Sequence, residues 1–456
     1  MNIPINLFEY QNKIKYDDSI NLEKFLDNIW KNREKNPYFR DDEDNKYLEN
    51  QQFIQFLHNT NEIKSNKYAG VIHFNNNTIN LLPKIFYDQE ENITAEKLGQ
   101  INNHILWWLS YCKKIRFPNY QTPLGKVKDN FFEIMIYLFS KYTKELLNKS
   151  VYMQYQDIIR EVEYIRGRIN INEYINSNLS TGKWNKFNCT YDLPVIDNKL
   201  NRIIKYVANT LVLETSNKDS EMNLREILFM LDEVKDIIPS PESCLTIEFN
   251  PMFAEFEIVR DYCYLFLSNS ISYNYKNNFR IFAFILPMEY VFEDFIYGFI
   301  EKETKINVTQ HRSDVYLTNN NKYKLIPDYI IEEKNNTIIA DAKYKLIYAE
   351  DNNKDISQKD LYQMVSYAIR FNVSKCILFY PETIGHLNKK TNKTSMEIED
   401  RLAHKNITIR AYQLPIINRN ILNKKTSNKY DLKELFRDIN IDLVDTLNNI
   451  LKENTE

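Results

Sequence analysis

Two carboxylates and a lysine carry the chemistry available to this chain: Asp328 in a Pro-Asp step, followed by Asp341 and Lys343, all within PDYIIEEKNNTIIADAK (Pro327–Lys343). Runs rich in Ile, Tyr and Ala flank a polar turn, Glu332 to Asn336, where Asn335 and Asn336 tolerate positive φ, so the stretch predicts a β-hairpin. A turn centred between Lys334 and Asn335 sets Asp328 opposite Asp341; a slip of one residue sets it opposite Lys343 instead. Side chains alternate along a strand, so either register leaves all three groups on one face. Adjacent carboxylates repel, and one tends to take up a proton unless a divalent cation neutralises the pair. Hard oxygen ligands suit Mg²⁺, with Mn²⁺ as a substitute; Mg²⁺ takes one or two protein carboxylates and completes its octahedron with water and phosphate oxygens. Lys343 beside a metal-bound water would orient it and stabilise charge on a phosphate. The reaction predicted is phosphodiester hydrolysis.

The tripeptide is not diagnostic by itself. Asp44-Asn45-Lys46, Glu62-Ile63-Lys64, Asp197-Asn198-Lys199, Glu303-Thr304-Lys305 and Glu332-Glu333-Lys334 share its spacing, and for the hairpin without its flanks a solvated ion pair on an edge strand is the favoured reading over a nuclease site. Context separates them: only Asp341-Ala342-Lys343 lies in an apolar β run preceded by a Pro-Asp strand. Downstream, Ser357 to Phe371 places Leu361, Met364, Val365, Ala368 and Ile369 at helical spacing, with Gln363 and Tyr367 sharing one face. Upstream, Met288 to Ile300 predicts a buried helix carrying Glu293, a carboxylate that must be paired, protonated or bound to metal.

This order of helix, acidic hairpin, helix and strand (Lys375 to Tyr380) resembles the core of the PD-(D/E)xK nucleases. Asp328, Asp341 and Lys343 match their motif, and Gln363 with Tyr367 resembles the QxxxY element of the RecB-like branch. With GVIHFNNNTINLLPKIF (Gly70–Phe86), YIRGRININ (Tyr164–Asn172), YDLPVIDNKLNRIIK (Tyr191–Lys205) and VFEDF (Val291–Phe295), the chain from about Tyr68 to Leu414 is similar to McrC, the nuclease subunit of McrBC-type modification-dependent restriction systems. The resemblance implies an α/β (mixed α+β) protein ending in a restriction-endonuclease-like domain with a mixed central sheet flanked by helices. It also implies a Mg²⁺-dependent DNA endonuclease of phage defence that works with a GTP-hydrolysing AAA+ partner, McrB-like, forming a ring. Asp328, Asp341 and Glu293 would hold metal, Lys343 would act on the attacking water, and Gln363 and Tyr367 would align substrate or brace the site. A stand-alone RecB-like repair exonuclease and a non-catalytic DNA-binding adaptor of an AAA+ ring are the alternatives.

The rest of the chain is consistent with such a subunit. Its 456 residues, 43% hydrophobic and 27% charged, bury substantial cores and divide into an N-terminal α+β region (1–110) assigned to partner docking, a mainly helical middle (111–270) and the nuclease domain (271–456). Within the first region Leu22–Trp30 and Gln51–His58 read as helices, and Tyr68–Phe74 with Thr78–Leu82 as a hairpin. Trp107 and Trp108 read as core. Val127–Lys149 predicts a long amphipathic helix, and Arg160, Arg166 and Arg168 form a basic group suited to phosphates of DNA or of a partner's nucleotide, or to ion pairs with Glu161, Glu163 and Asp157. A net charge of −3 argues against a protein that coats DNA through a broad basic surface. Five dispersed cysteines without zinc spacing, no secretory signal and no membrane-length apolar run indicate a reduced, cytoplasmic chain. With seven glycines and no phosphate-cradling loop, the chain binds no nucleotide itself, and any motor is another polypeptide.

Overall fold

The computed structural model describes residues 5–16, 22–23, 26, 53–74, 77–88, 93–113, 131–274, 280–310, 314–333, 336–346, 356–384, 393–401, 404–418 and 432–455. Two compact units result, one built from Met1–Ile134 with Ser268–Glu456 and the other from Met135–Leu267. The fold is mixed α+β, as expected.

The first unit begins with β1 (Ile5–Phe8), β2 (Lys13–Lys15), β3 (Ile54–Leu57), β4 (Glu62–Ser65), β5 (Tyr68–Phe74) and β6 (Asn77–Leu82), then α1 (Ala95–Leu109). The hairpin expected over 68–82 is β5 and β6, paired antiparallel with Ile72 opposite Ile79. The helix expected over Gln51–His58 is instead the strand β3, whose Ile54–Leu57 pairs antiparallel with β4. A four-residue run holds too little periodicity to separate strand from helix, and the cross-strand partner decides. The helix expected over Leu22–Trp30 falls mostly outside the described residues, although Leu22 and Leu26 are buried in the core formed with Phe53, Ile63, Tyr68 and Ile79.

The second unit holds most of α2 (Phe131–Lys149), a three-stranded sheet of β7 (Gln154–Val162), β8 (Arg168–Ile169) and β9 (Phe187–Val195) in the order β7-β9-β8, then α3 (Lys199–Glu214), α4 (Lys218–Met230) and most of α5 (Phe256–Asn269). The helix expected over 127–149 is α2; residues 127–130 lie outside the described residues. The VIDNKLNR stretch is a hinge of hydrogen bonds: Asn198 caps α3 by accepting from the Asn201 amide at 3.0 Å, both Asn198 and Asn201 donate to the Tyr152 carbonyl, and Arg202 grips Asp197 with two bonds of 2.7 and 2.9 Å. Gly167, at φ 66°, approaches the Thr190 carbonyl so closely that a Cβ would lie 2.4 Å from it, which fixes glycine between β7 and β8.

The first unit resumes with β10 (Ser270–Asn274) and β11 (Arg280–Pro287), which join the N-terminal strands in one sheet ordered β1-β6-β5-β11-β10. After α6 (Met288–Glu303) comes a six-stranded mixed sheet in the order β12-β13-β14-β15-β17-β16: β12 (Asn307–Gln310), β13 (Tyr329–Glu333), β14 (Asn336–Ala342), β15 (Lys375–Pro381), β16 (Lys393–Asp400) and β17 (Lys405–Leu414). Helix α7 (Gln358–Phe371) carries the crossover from β14 to the parallel β15 and packs Met364, Tyr367 and Ala368 on Ile339, Cys376, Leu378 and Ile409. Helix α8 (Arg437–Thr455) ends the described chain. No described helix is long and apolar enough to cross a membrane, and all five cysteines are buried and outside any disulfide.

The Trp107-Trp108 pair is core, as expected. Trp107 stacks on Phe436 with centroids 4.7 Å apart and Trp108 lies 5.8 Å from Phe86. At Gly298 in α6 a Cβ would fall 1.9 Å from the Tyr111 carbonyl, so only glycine permits this approach. Beneath them His104 is fully buried: Nδ1 donates to the Gln100 carbonyl at 2.7 Å and Nε2 accepts from the Asn418 amide at 3.0 Å, which requires a neutral ring. Burial pushes His104 down to about 4. Because this folded value lies below the unfolded one, the stabilisation is fully present above about pH 6.5 and is lost as pH falls from there toward 4, a change on the order of 3 kcal/mol. Urea unfolding of the parent and of His104→Gln should show a parent curve falling over that window and a flatter variant curve; parallel curves would contradict the neutral, doubly bonded His104.

Candidate active site

The hairpin closes in the register that opposes the two acids. Tyr329 pairs with Ala340 and Glu333 with Asn336, so the same register brings Asp328, the residue before β13, opposite Asp341. Asp328 Oδ2 accepts from the Ala342 amide at 2.7 Å, which binds the acid to the far strand where the ladder ends. Ile339 packs under α7, and alternation turns Asp341, two residues on, to that same face. Lys343 follows Asp341 on the strand line, and its Nζ forms an ion pair with Asp341 Oδ2. Its backbone amide donates to the Phe379 carbonyl at 2.8 Å, holding the segment on β15 after β14 has ended.

Electrostatics sharpen the picture. Burial pushes Asp328 well above the usual carboxylate range, and the charges of Asp341 and Glu293 push it further, against the pull of Lys343. Burial likewise raises Asp341, which is 1% exposed, with Lys343 opposing. Burial pulls the Lys343 ammonium down, but Asp341 and Asp328 outweigh it and the net shift is upward, so Lys343 remains a cation. Helix α6 brings in Glu293: the Tyr329 hydroxyl donates to its carbonyl at 2.8 Å and Gln310 donates to its Oε1 at 3.4 Å. Asp328, Asp341, Lys343 and Glu293 thus share one electrostatic neighbourhood. Among the described residues, no three His, Cys, Asp or Glu side chains are grouped closely enough to hold a metal by themselves.

Gln363 and Tyr367 meet on α7. Gln363 Nε2 donates to the Tyr367 hydroxyl at 2.8 Å, and that hydroxyl donates to the Ile326 carbonyl at 3.0 Å, two residues ahead of Asp328. Tyr367 is 1% exposed, and of the two roles expected for it, bracing the site is the one this geometry serves. Arg166 and Arg168 belong to the second unit. Both are exposed, Arg166 stacks over the Tyr191 ring at 4.6 Å, and among the described residues neither has an acidic partner; Glu161 pairs with Lys186 instead.

A second acid–lysine pair, with Asp360 buried and Lys345 exposed, has no counterpart among the expectations from sequence. Lys345 Nζ lies 2.7 Å from both oxygens of Asp360, in the first turn of α7, and the Tyr380 hydroxyl donates to Asp360 at 3.3 Å. The signal is present in the alternation, since Lys345 continues the spacing from Asp341 to Lys343, but its partner lies 15 residues further along the chain, beyond the reach of local spacing.

The model of the family described as the McrBC 5-methylcytosine restriction system component matches residues 63–381. The chain belongs to that family. Its fold is similar to a chain from the refined half-complex of a tetradecameric assembly of Thermococcus gammatolerans McrB AAA+ hexamers with bound McrC, at 18% identity and a TM-score of 0.66, with 98% of this chain and 100% of that one covered. A chain from the cryo-EM structure of the Thermococcus gammatolerans McrBC complex is 20% identical over 66% of this chain and 88% of that one, with a TM-score of 0.49. The family match makes the chain a McrBC restriction-system component, and the first of these likenesses shows a shared fold. No curated protein matches.

The brace beneath Asp328 yields a direct test. Tyr367→Phe removes the donor to the Ile326 carbonyl and the acceptor for Gln363, and should cost about 1–2 kcal/mol in urea unfolding. An unchanged unfolding midpoint would mean that the bond bears no load.

Proposed function

We propose that this chain is the DNA endonuclease subunit of a McrBC-type restriction system, hydrolysing phosphodiester bonds with Mg²⁺ when assembled with a GTP-hydrolysing AAA+ ring. The observation that carries the proposal is the opposition of Asp328, half-buried, and Asp341, fully buried, both driven toward protonation, beside a lysine that stays charged.

The donor set fits a hard divalent cation: two facing carboxylates whose mutual repulsion and burial a cation would relieve, matching the one or two carboxylates Mg²⁺ takes from proteins. Asp328 and Asp341 would hold it, with Glu293 adding negative charge beside them. When bound, the ion supplies Lewis-acid polarisation of the phosphate and a more acidic water. The chain's own groups do the positioning. The Ala342 amide holds Asp328 against β14, the Tyr367 hydroxyl steadies the backbone before it, and the Lys343 ammonium offers a fixed positive charge to an attacking water and to charge developing on the phosphate.

A net charge of −3 favours delivery of DNA by a partner. The solved complex joins McrC to McrB AAA+ hexamers, and we infer an equivalent ring here. Among the described residues of the first 110, Tyr10 is the one exposed large apolar side chain, whereas the second unit exposes Tyr155, Ile159, Tyr164, Ile165 and Trp184 around Arg166 and Arg168. Solvent-facing aromatics beside arginines have the composition of an interface core, which favours this sheet over the amino-terminal region as the ring-facing surface.

Asp341→Asn should abolish cleavage of DNA by the GTP-supplied complex while leaving the unfolding temperature in EDTA unreduced, because it removes charge from a buried site. Mg²⁺ should stabilise the parent, by about 2.7 kcal/mol at a hundredfold excess over its dissociation constant, and should not stabilise the variant. Cleavage by Asp341→Asn at the parent rate would overturn the assignment.

A further inference from the structure

Strand β14 ends at Ala342, yet Lys343 must be held to better than an ångström if its charge is to serve the scissile phosphate. The two backbone bonds beyond it, Lys343 to Phe379 and Lys345 to Lys343, both 2.8 Å, hold the main chain but not the Lys343 side chain. The residue between the two lysines, Tyr344, is 4% exposed, and its ring is gripped from two directions. The Lys84 ammonium stands over it 4.4 Å from the ring centroid, and the Phe292 ring lies against it at 5.8 Å and 47°. Tyr344 adjoins Lys343 in sequence, and Phe292 adjoins Glu293.

Lys84 is itself an unusual group. It is 9% exposed, just beyond the end of β6 in the N-terminal sheet, and an ammonium so placed must be compensated. Burial pulls the Lys84 ammonium down; opposing it are Glu9, fully buried after β1, whose Oε2 accepts from the Lys84 backbone amide at 3.0 Å, and Glu289 in the first turn of α6, which together offset part of that cost. The Tyr10 ring lies 5.8 Å from Nζ. A cation desolvated over an aromatic face binds that face more strongly than an exposed one does. Nothing in the hairpin or its helices supplies this contact. It reaches the nuclease strand from the far end of the sequence.

We infer that Lys84 is a positioning residue of the nuclease site, acting through Tyr344 to set the placement of Lys343 and, through Phe292, of Glu293. The N-terminal sheet, which shares one compact unit with the nuclease elements, is then part of the active-site scaffold. This inference rests on the nuclease reading above.

The test uses the full chain assembled with its AAA+ partner, with GTP, Mg²⁺ and cleavable DNA. Lys84→Met keeps the stem and removes the charge; Lys84→Arg keeps a cation able to stack on the ring. Lys84→Met should lower kcat about ten- to hundredfold with KM for DNA within about twofold, and Lys84→Arg should restore most of the rate. Loss of unfolding temperature in Lys84→Met with kcat per folded complex unchanged would overturn the inference, as would failure of Lys84→Arg to exceed Lys84→Met. Should Lys84→Met not fold, Tyr344→Leu decides by the same kcat-against-KM criterion, an unchanged kcat overturning the inference. Asp341→Asn run alongside separates the two claims: if it cuts as the parent does, the nuclease reading fails, whereas a dead Asp341→Asn with an unimpaired Lys84→Met refutes only the role of Lys84.

Discussion

Everything about this site follows from putting two carboxylates face to face at the end of a buried hairpin. Asp328 and Asp341 are close, poorly hydrated and near a third acid, and left alone they would favour the protonated state. One lysine offsets part of that cost, and the arrangement persists only because the surrounding fold over-determines it. The Ala342 amide ties one acid to the opposing strand, and the Phe379 carbonyl ties the lysine segment to β15. An acid pair desolvated in this way is a poor means of stabilising a sheet and a good means of binding a cation.

Three separate parts of the chain supply that restraint. Helix α7 presses Tyr367 against the backbone ahead of Asp328 and offers Asp360 to Lys345. Helix α6 carries Glu293 and, through Phe292, supports Tyr344. The N-terminal sheet contributes Lys84 and Glu9. That sheet recruits β10 and β11 from the segment leading directly into α6, so amino-terminal strands and nuclease elements belong to one compact unit.

Much of the site was legible in the sequence because it obeys local rules. The alternation of Ile and Ala around Asp341 set its face and the helical spacing of Gln363 and Tyr367 put them together, while of the Asn pair expected at the turn Asn335 lies outside the described residues and Asn336 opens β14. Sequence left the register open between Asp341 and Lys343 as the partner of Asp328, and the pairing of Ile330 with Ile339 settles it. What stayed hidden was long-range. Nothing local says that Lys84 meets Tyr344, or that Asp360 meets Lys345, since each pair is joined only when separate elements pack. The strand β3 was misread as helix for a related reason: Ile54–Leu57 is too short to show a period, and its identity comes from β4. The three-stranded sheet of the second unit, whose strands carry exposed rather than alternating apolar residues, gives little period-2 signal for the same stretch to be recognised.

The central claim is that the facing acids form a divalent-cation site. Soaking crystals of the chain in Mn²⁺ and recording anomalous scattering at the manganese edge tests it most directly. The account predicts one strong peak between Asp328 and Asp341, within about 2.0–2.4 Å of an oxygen from each, as hard cations sit among carboxylates. A map with no peak there, at Mn²⁺ concentrations that fill other carboxylate pairs on the surface, would contradict it.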